Sequence, residues 1–538
     1  MAHLVDLPPE LVLHILRLCD VATVLRVSET CRFLHTVVSD KACWLDIIRD
    51  LGRRSIIDHR DAERTSELST EDLIQLVRRA SHGPASWMHP TNSESEGLLP
   101  LKSWSSTVPL PDPPATWLSA EFLPGGRHIL INSGGTLSCN TIALEEPRCI
   151  WTYVPQLPGN PNTTHVEDFH FATETSESDL HTFIICLGGE HGDYVDIVEL
   201  DTRTGSHRLL LSTPVPASDT MRSGIFCNPV VCGTLAAVGI HPDRSLYLIM
   251  DWSQQQAFIL EFQFDCTDDA REPDNAQQLF LLDLARGYII VRARSASRTE
   301  EHLYIISADV AFRLYGRPIP PLEAEIPCAE TEEYYSIAQL GSDEFRETIL
   351  ITQTITDTTL PDSTDCNRVM QYLENTVGPD DEAHGALRVF ADPLCVDAFR
   401  VWVYISATRI GPEDAWDDEY RSGLRVSYRD PTGSPGKWCY GFGVDGLLCC
   451  YELDLSVPAQ PQLRELRRGP APAALVCGGL TASGHMFGLN TFAIYPAFGL
   501  LPMNWDVHSQ TRSSASLAAY SGAVTLANRK AILVHHFA

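Results

Sequence analysis

From about Thr116 to its end the chain repeats one unit, and that unit is built of strands. Short β-branched and aromatic runs alternate with Gly, Pro, Asp and Asn, and no helical stripe separates them. One copy runs through residues 184–187, 195–201, the polar turn 202–205 and 208–211. A second uses 235–240, 246–251, 253–256 and 257–262, and a third uses 288–292, 302–306 and 311–314. Leu200, Met250 and Ile306 hold equivalent places, 50 and 56 residues apart, and a vaguer copy has its own such place at 142–144. A meander of four strands cannot cover both of its faces alone. Meanders repeating at roughly 40 to 55 residues are the pattern of stacked propeller blades. The expected fold of this region is therefore an all-β propeller of seven blades, or six with insertions. Further blade candidates are 337–355, 399–406 with 424–428, 447–455 and 474–493, and the run 531–537 is placed to close the ring on the first blade.

The opening stretch has a different period. Leu7 precedes Pro8-Pro9-Glu10, a good helix start because the missing proline N–H costs nothing there. Leu11, Ile15 and Leu18 follow at i, i+4 and i+7, one stripe of a helix. Asp20 caps a second helix with Val24, Leu25 and Val27; a third, from about Ser28, carries Cys31, Leu34 and Val38; Asp40 caps a fourth with Trp44, Ile47 and Ile48. That is more apolar surface than so small a unit can hide, so a partner is expected to cover the excess.

This stretch resembles the F-box. The residues that carry the likeness are Leu-Pro-x-Glu-Leu at 7–11, Ile15-Leu16, Val24-Leu25-x-Val27-Ser28-x-Thr30-Cys31-Arg32-Phe33, and Ser39-Asp40-x-x-x-Trp44. The resemblance implies docking on the Skp adaptor of an SCF-type cullin–RING ubiquitin ligase. It implies contacts from Leu7, Pro8, Leu11, Ile15, Leu18, Val24, Leu25, Val27, Cys31, Phe33, Leu34 and Trp44, of which Leu25, Leu34 and Trp44 are expected to hold the helices to one another. The expected role is that of a substrate-recognition subunit whose β domain binds an unidentified target protein. Two alternatives stay open: a Skp-binding or scaffold protein outside any ligase, and a binding module for a phosphopeptide or small ligand. Resemblance of the β region to WD40 repeats is poor, because Trp-Asp occurs only at Trp416-Asp417 and Trp505-Asp506. A pair of β-sandwich domains is the rival fold.

Between the two regions, 53–64 is polar and 69–79 (STEDLIQLVRR) reads as a helix. Its first turn is acidic, its last turn basic, and Gly83-Pro84 ends it. Residues 84–115 are rich in Pro and Ser, a linker composition pinned by Trp87 and Trp104. The expected domains are 1–60, a helical F-box domain; 61–114, helix and linker; and 115–538, the propeller.

Residues 1–60 carry eight basic and eight acidic side chains, whereas the whole chain has a net charge of −30. An acidic surface argues against nucleic acid as a direct ligand. Acidic runs at 174–179, 265–274, 380–382 and 413–419 read as solvated loops. No apolar run is long enough for a membrane span, and MAHLVDLPPE lacks the features of a signal peptide. Cysteines scattered through apolar runs, such as Cys186, Cys232, Cys449 and Cys450, suit a reducing compartment, so cytoplasmic or nuclear residence is expected. The chain has no His-Glu-x-x-His, Gly-x-Ser-x-Gly or Gly-x-x-x-x-Gly-Lys. The glycines at 441–446 match the letters of a dinucleotide loop but precede a strand-like run. Glu413 to Glu419 lacks the spacing of a calcium loop. No catalytic residue, metal or cofactor is expected. The arginine groups Arg292/Arg294 and Arg464/Arg467/Arg468 read as solvated strand edges, so no substrate-binding residue is assigned.

Overall fold

The computed structural model describes residues 4–58, 64–88, 102–106, 118–133, 136–142, 148–154, 166–177, 179–189, 192–216, 227–241, 246–262, 280–294, 301–321, 326, 330–355, 381–409, 446–457, 460–471, 477–488, 493–495, 499–500, 514–527 and 532–537. Four short helices open the chain: α1 (Pro9–Leu16), α2 (Val21–Ser28), α3 (Arg32–Val38) and α4 (Lys41–Arg53). Asp20 caps α2 by accepting from Thr23 N at 2.7 Å, and Asp40 caps α4 by accepting from Ala42 N at 2.8 Å. The third helix starts at Arg32 rather than near Ser28. The Ser28 and Thr30 hydroxyls donate to the carbonyls of Leu25 and Val27, which satisfies the end of α2 and lets the chain turn before Cys31.

The fifth helix, α5 (Thr70–His82), carries a capping box in which Ser69 Oγ accepts from Asp72 N and Asp72 Oδ2 accepts from Ser69 N. Its buried stripe of Leu73, Val77 and Ala80 packs onto the core made by Val12, Leu16, Val24, Leu34, Ile48 and Leu51. Four short helices enclose too little apolar volume to stand alone, and α5 supplies the missing wall. It stops at Gly83, whose φ of 84° suits glycine and whose Cβ position is filled by the His485 ring.

The β domain contains seven sheets among the described residues, antiparallel except for one added strand. Six follow in chain order, with their strands at 118–153, 166–215, 227–262, 280–307 with 349–354, 381–471 and 477–500. The seventh is composite: Ser514–Leu517, Ala523–Ala527 and Ile532–His536 are joined by Lys102–Ser106 as the outer strand, with Lys102 opposite His536 and Ser106 opposite Ile532. The C-terminal run thus closes the ring on a strand from before the first blade, and the β domain reaches back to Lys102, inside the stretch expected to be linker. Apolar clusters join neighbouring sheets. Trp151 and Tyr153 lie against Phe183 and Leu200, and Leu281 and Ile305 lie against Val401 and Tyr451.

The acid at the end of the third strand has a local cause. Asp201 Oδ1 accepts from Arg203 N, Asp251 Oδ1 from Ser253 N, and Asp454 Oδ1 from Ser456 N, so the carboxylate builds the turn into the fourth strand. The blade at 280–307 departs from this. Residues 311–314, expected as a strand, belong to the helix Ala308–Tyr315, which Ser307 caps and which buries Ala308, Ala311 and Phe312 on one face. The fourth strand of that blade comes instead from Ile349–Thr354, and Ile337–Leu340 pairs in parallel with the outer strand of the preceding blade, so 337–355 makes no blade of its own. Glu174 is likewise not in a loop: it lies in the strand Val166–Glu177, and its carboxylate accepts from Gly233 N at 2.5 Å. The strand after the glycines at 441–446 is Gly446–Asp454. Residues 413–419 and 424–428 lie outside the described residues.

Candidate adaptor-docking site

Helix α1 is apolar nearly all round, and the fold divides it. Val12 and Leu16 enter the core, while Leu11 and Ile15, with Leu18 just past the end of the helix, stay 52%, 40% and 81% exposed. Leu25 on α2 joins them at 37%. Of the other expected contacts, Pro8 and Cys31 are exposed, Leu7, Val27 and Phe33 are half-buried, and Val24, Leu34 and Trp44 are buried. Leu34 and Trp44 hold the helices together, Trp44 Nε1 donating to Val38 O at 2.9 Å. Leu25 does not: Val24 takes the core position, because α2 presents Val21 and Val24 inward. Cys31 is not a core residue either but stands at the N-terminus of α3. Cys43 is buried, and desolvation pushes its thiol up to about 11.

The helices are anchored to one face of the propeller by four turns, each joining the first and second strands of its blade. Ala22 N donates to Leu394 O at 3.0 Å, and Arg54 Nη2 donates to Asp392 O at 2.6 Å and Cys395 O at 3.3 Å. Arg400 is the central tie. It pairs with Asp392 at 3.2 Å, donates to Ala482 O, and reaches Ser81 O, a free carbonyl in the last turn of α5, at 2.6 Å. Trp87 is buried with its ring 5.1 Å from His485 and 5.5 Å from Phe537. Asp58 fills the space beside Gly126, and Pro84 that beside Gly522. None of Arg54, Asp392 and Arg400 was assigned from the sequence. Arg54 lies 338 residues from Asp392 and Arg400 lies 319 from Ser81, and only the tryptophan in a Pro/Ser stretch marked the junction.

Turns between first and second strands alternate with those between second and third, so the helices occupy one face and leave the opposite one to the turns between second and third strands. Of the arginine groups, Arg292, Arg464 and Arg468 are held by partners within the fold. Arg292 is fully buried rather than solvated, held by Glu301 in two bonds of 2.9 Å and donating to Tyr404 O of the next blade. Arg464 pairs with Glu452, and Arg468 with Glu465 and Ile355 O. On the innermost strands, Glu121, Asp283 and Arg388 come from three blades to one neighbourhood. Burial pushes Glu121 up to about 7 and Asp283 up to about 6, with Arg388 opposing both shifts. No helix among the described residues is long and apolar enough to cross a membrane.

A family model described as F-box-like matches residues 4–50. No curated protein matches the chain. Solved structures similar to the chain include three of low identity. An oligogalacturonate lyase in complex with manganese is 8% identical at TM-score 0.24, covering 66% of this chain and 76% of that one. The fission yeast SREBP–SCAP binding domains are 10% identical at 0.24, covering 49% and 86%. The WD40 domain of SCAP from fission yeast is 8% identical at 0.23, covering 78% and 82%. At these scores the likenesses carry no argument. What the residues, the fold and the family model agree on is that this chain carries an F-box-like domain at 4–50 joined to a C-terminal β-propeller.

Proposed function

We propose that the chain is a substrate-recognition subunit of an SCF-type ubiquitin ligase. The F-box-like domain docks on a Skp adaptor, and the propeller holds the target protein. One observation carries this reading: Leu11, Ile15, Leu18 and Leu25 form an exposed apolar stripe on a domain that other residues tie to the propeller. Burying such a side chain in a partner is worth about 1.5–3 kcal/mol, so four of them supply a large share of an ordinary protein–protein affinity. The ties through Arg54 and Arg400 would hold the target at a fixed place relative to the adaptor, so the subunit works by raising the local concentration of target near transferred ubiquitin. In this reading the chain contributes no catalytic group, and catalysis belongs to the partners.

The test is affinity capture from cell extract with the proteasome blocked, comparing the full chain with Leu7→Ala/Pro8→Ala/Ile15→Asp. Adaptor and cullin are expected with the wild type and lost with the variant. Absence of adaptor from the wild-type capture, or equal capture by both, would overturn the proposal. Adaptor without cullin would sink the ligase role.

A further inference from the structure

Beside the exposed stripe, a groove of about 760 Å³ opens where α1 and α4 meet the propeller turn 392–397. The helical domain gives one wall and Leu394 and Val396 give the other, so the groove exists only in the joined molecule. Its rims are apolar, with Leu18 and Val396 exposed on either side. Its charge differs from that of the rest of the chain. Four arginines line it against three aspartates, one formal positive charge in excess, and Asp20 faces the N-terminus of α2 that it caps. The other two aspartates are shared. Asp46 takes Arg17 at 2.6 Å and Arg49 at 2.5 Å, and Asp50 takes Arg53 at 3.0 Å and Arg54 at 4.0 Å. Arg54 also spends donors on the propeller backbone, whereas Arg17, Arg49 and Arg53 stay open to solvent. The groove therefore holds a local excess of guanidinium in a chain of net charge −30.

We propose that this groove docks a short acidic segment of the target protein, a glutamate- or aspartate-rich stretch carrying one large apolar side chain. Guanidinium forks take carboxylates in paired hydrogen bonds, and Val396 on the propeller wall would cover the apolar side chain. The remaining acidic surface repels such a segment, so attraction is confined to the groove. The target is the source of the segment because one wall belongs to the propeller, the domain that takes the target in the function proposed above. The groove's chemistry does not depend on that function, and the test separates the two.

The experiment is fluorescence anisotropy on the full chain, with a fluorescein-labelled peptide of glutamates around one leucine. Binding is expected to weaken with added salt, with serine in place of the leucine, and by about tenfold or more in Arg49→Glu/Arg53→Glu. Both arginines are on the surface, so circular dichroism of that variant should match the wild type. Val396→Ser should weaken binding without altering its salt dependence. No binding, or equal affinity in the charge-reversed variant, would overturn the proposal. Purified Skp adaptor added first should leave the peptide's affinity unchanged. Displacement of the peptide by the adaptor would assign the groove to the adaptor and sink the target-docking claim, while Ile15→Asp, which removes the adaptor, should bind the peptide as the wild type does.

Discussion

Replacing Arg400 with methionine would release the joint between the two domains. The side chain is almost wholly buried, as is its partner Asp392, and the guanidinium makes bonds of 3.2 and 3.4 Å to that carboxylate. It also bonds to Ser81 O at 2.6 Å and Ala482 O at 3.3 Å. Methionine fills much of the same volume, so the loss is mainly electrostatic. Breaking one side of a buried pair costs about 3–5 kcal/mol, because the other charge stays desolvated without compensation. Asp392 keeps one bond, accepting from Leu394 N at 2.7 Å, which sets the expectation at the lower end, about 3 kcal/mol. Much of it should fall on α5, whose last turn loses its cation. The assay is native-state hydrogen exchange: amides of Thr70–His82 should exchange about 100-fold faster, since 1.4 kcal/mol is tenfold. Adding Asp392→Asn should recover much of the loss, because the orphan charge is then gone. Exchange of α5 unchanged in Arg400→Met, or no recovery in the double variant, would refute the argument.

The helical domain should separate binding from stability. Leu11→Asp should leave the thermal midpoint within a degree or so while removing adaptor binding, whereas Leu34→Ala should cost about 2–5 kcal/mol in urea unfolding, because only Leu34 leaves a cavity. Ring closure makes a deletion test. A chain starting after Ser106 lacks the outer strand of the composite blade and should melt lower than one starting just before Lys102, as scanning calorimetry would show. The innermost strands predict a pH dependence. Glu121 and Asp283 have folded-state values raised to about 7 and about 6, above their ordinary 4.5 and 3.8, so the fold prefers them protonated. Their contribution to stability therefore falls as pH rises from about 4 through about 7, and Glu121→Gln should raise the melting temperature at about pH 8 and flatten that slope. A slope unchanged by the substitution would count against the cluster. Trp87→Ala should cost about 3–5 kcal/mol and expose the junction to protease, measured by limited proteolysis.

Much of this molecule was determined by local chemistry and so could be taken from the sequence. Asp20, Asp40 and Ser69 cap helices because a side-chain oxygen two or three residues before a free N–H has nowhere better to go. Leu200, Met250 and Ile306 repeat because every blade must bury the same strand in the same place, and Asp201 and Asp251 recur because each builds the same turn. The helix Ala308–Tyr315 was carried by local signals too, Ser307 and the spacing of Ala308, Ala311 and Phe312, but a strand-rich setting hid it. Burial was a different matter. Val24 and Leu25 are adjacent apolar residues on one helix, and only the position of α3 and α5 decides which faces the core. The ties of Arg54, Asp392 and Arg400, the groove shared by α4 and the turn 392–397, and the pairing of Lys102–Ser106 with the C-terminal strand all join residues far apart in the chain. No periodicity or cap encodes them, because their energies come from groups that become neighbours only once the ring has closed and the helices have settled on its face.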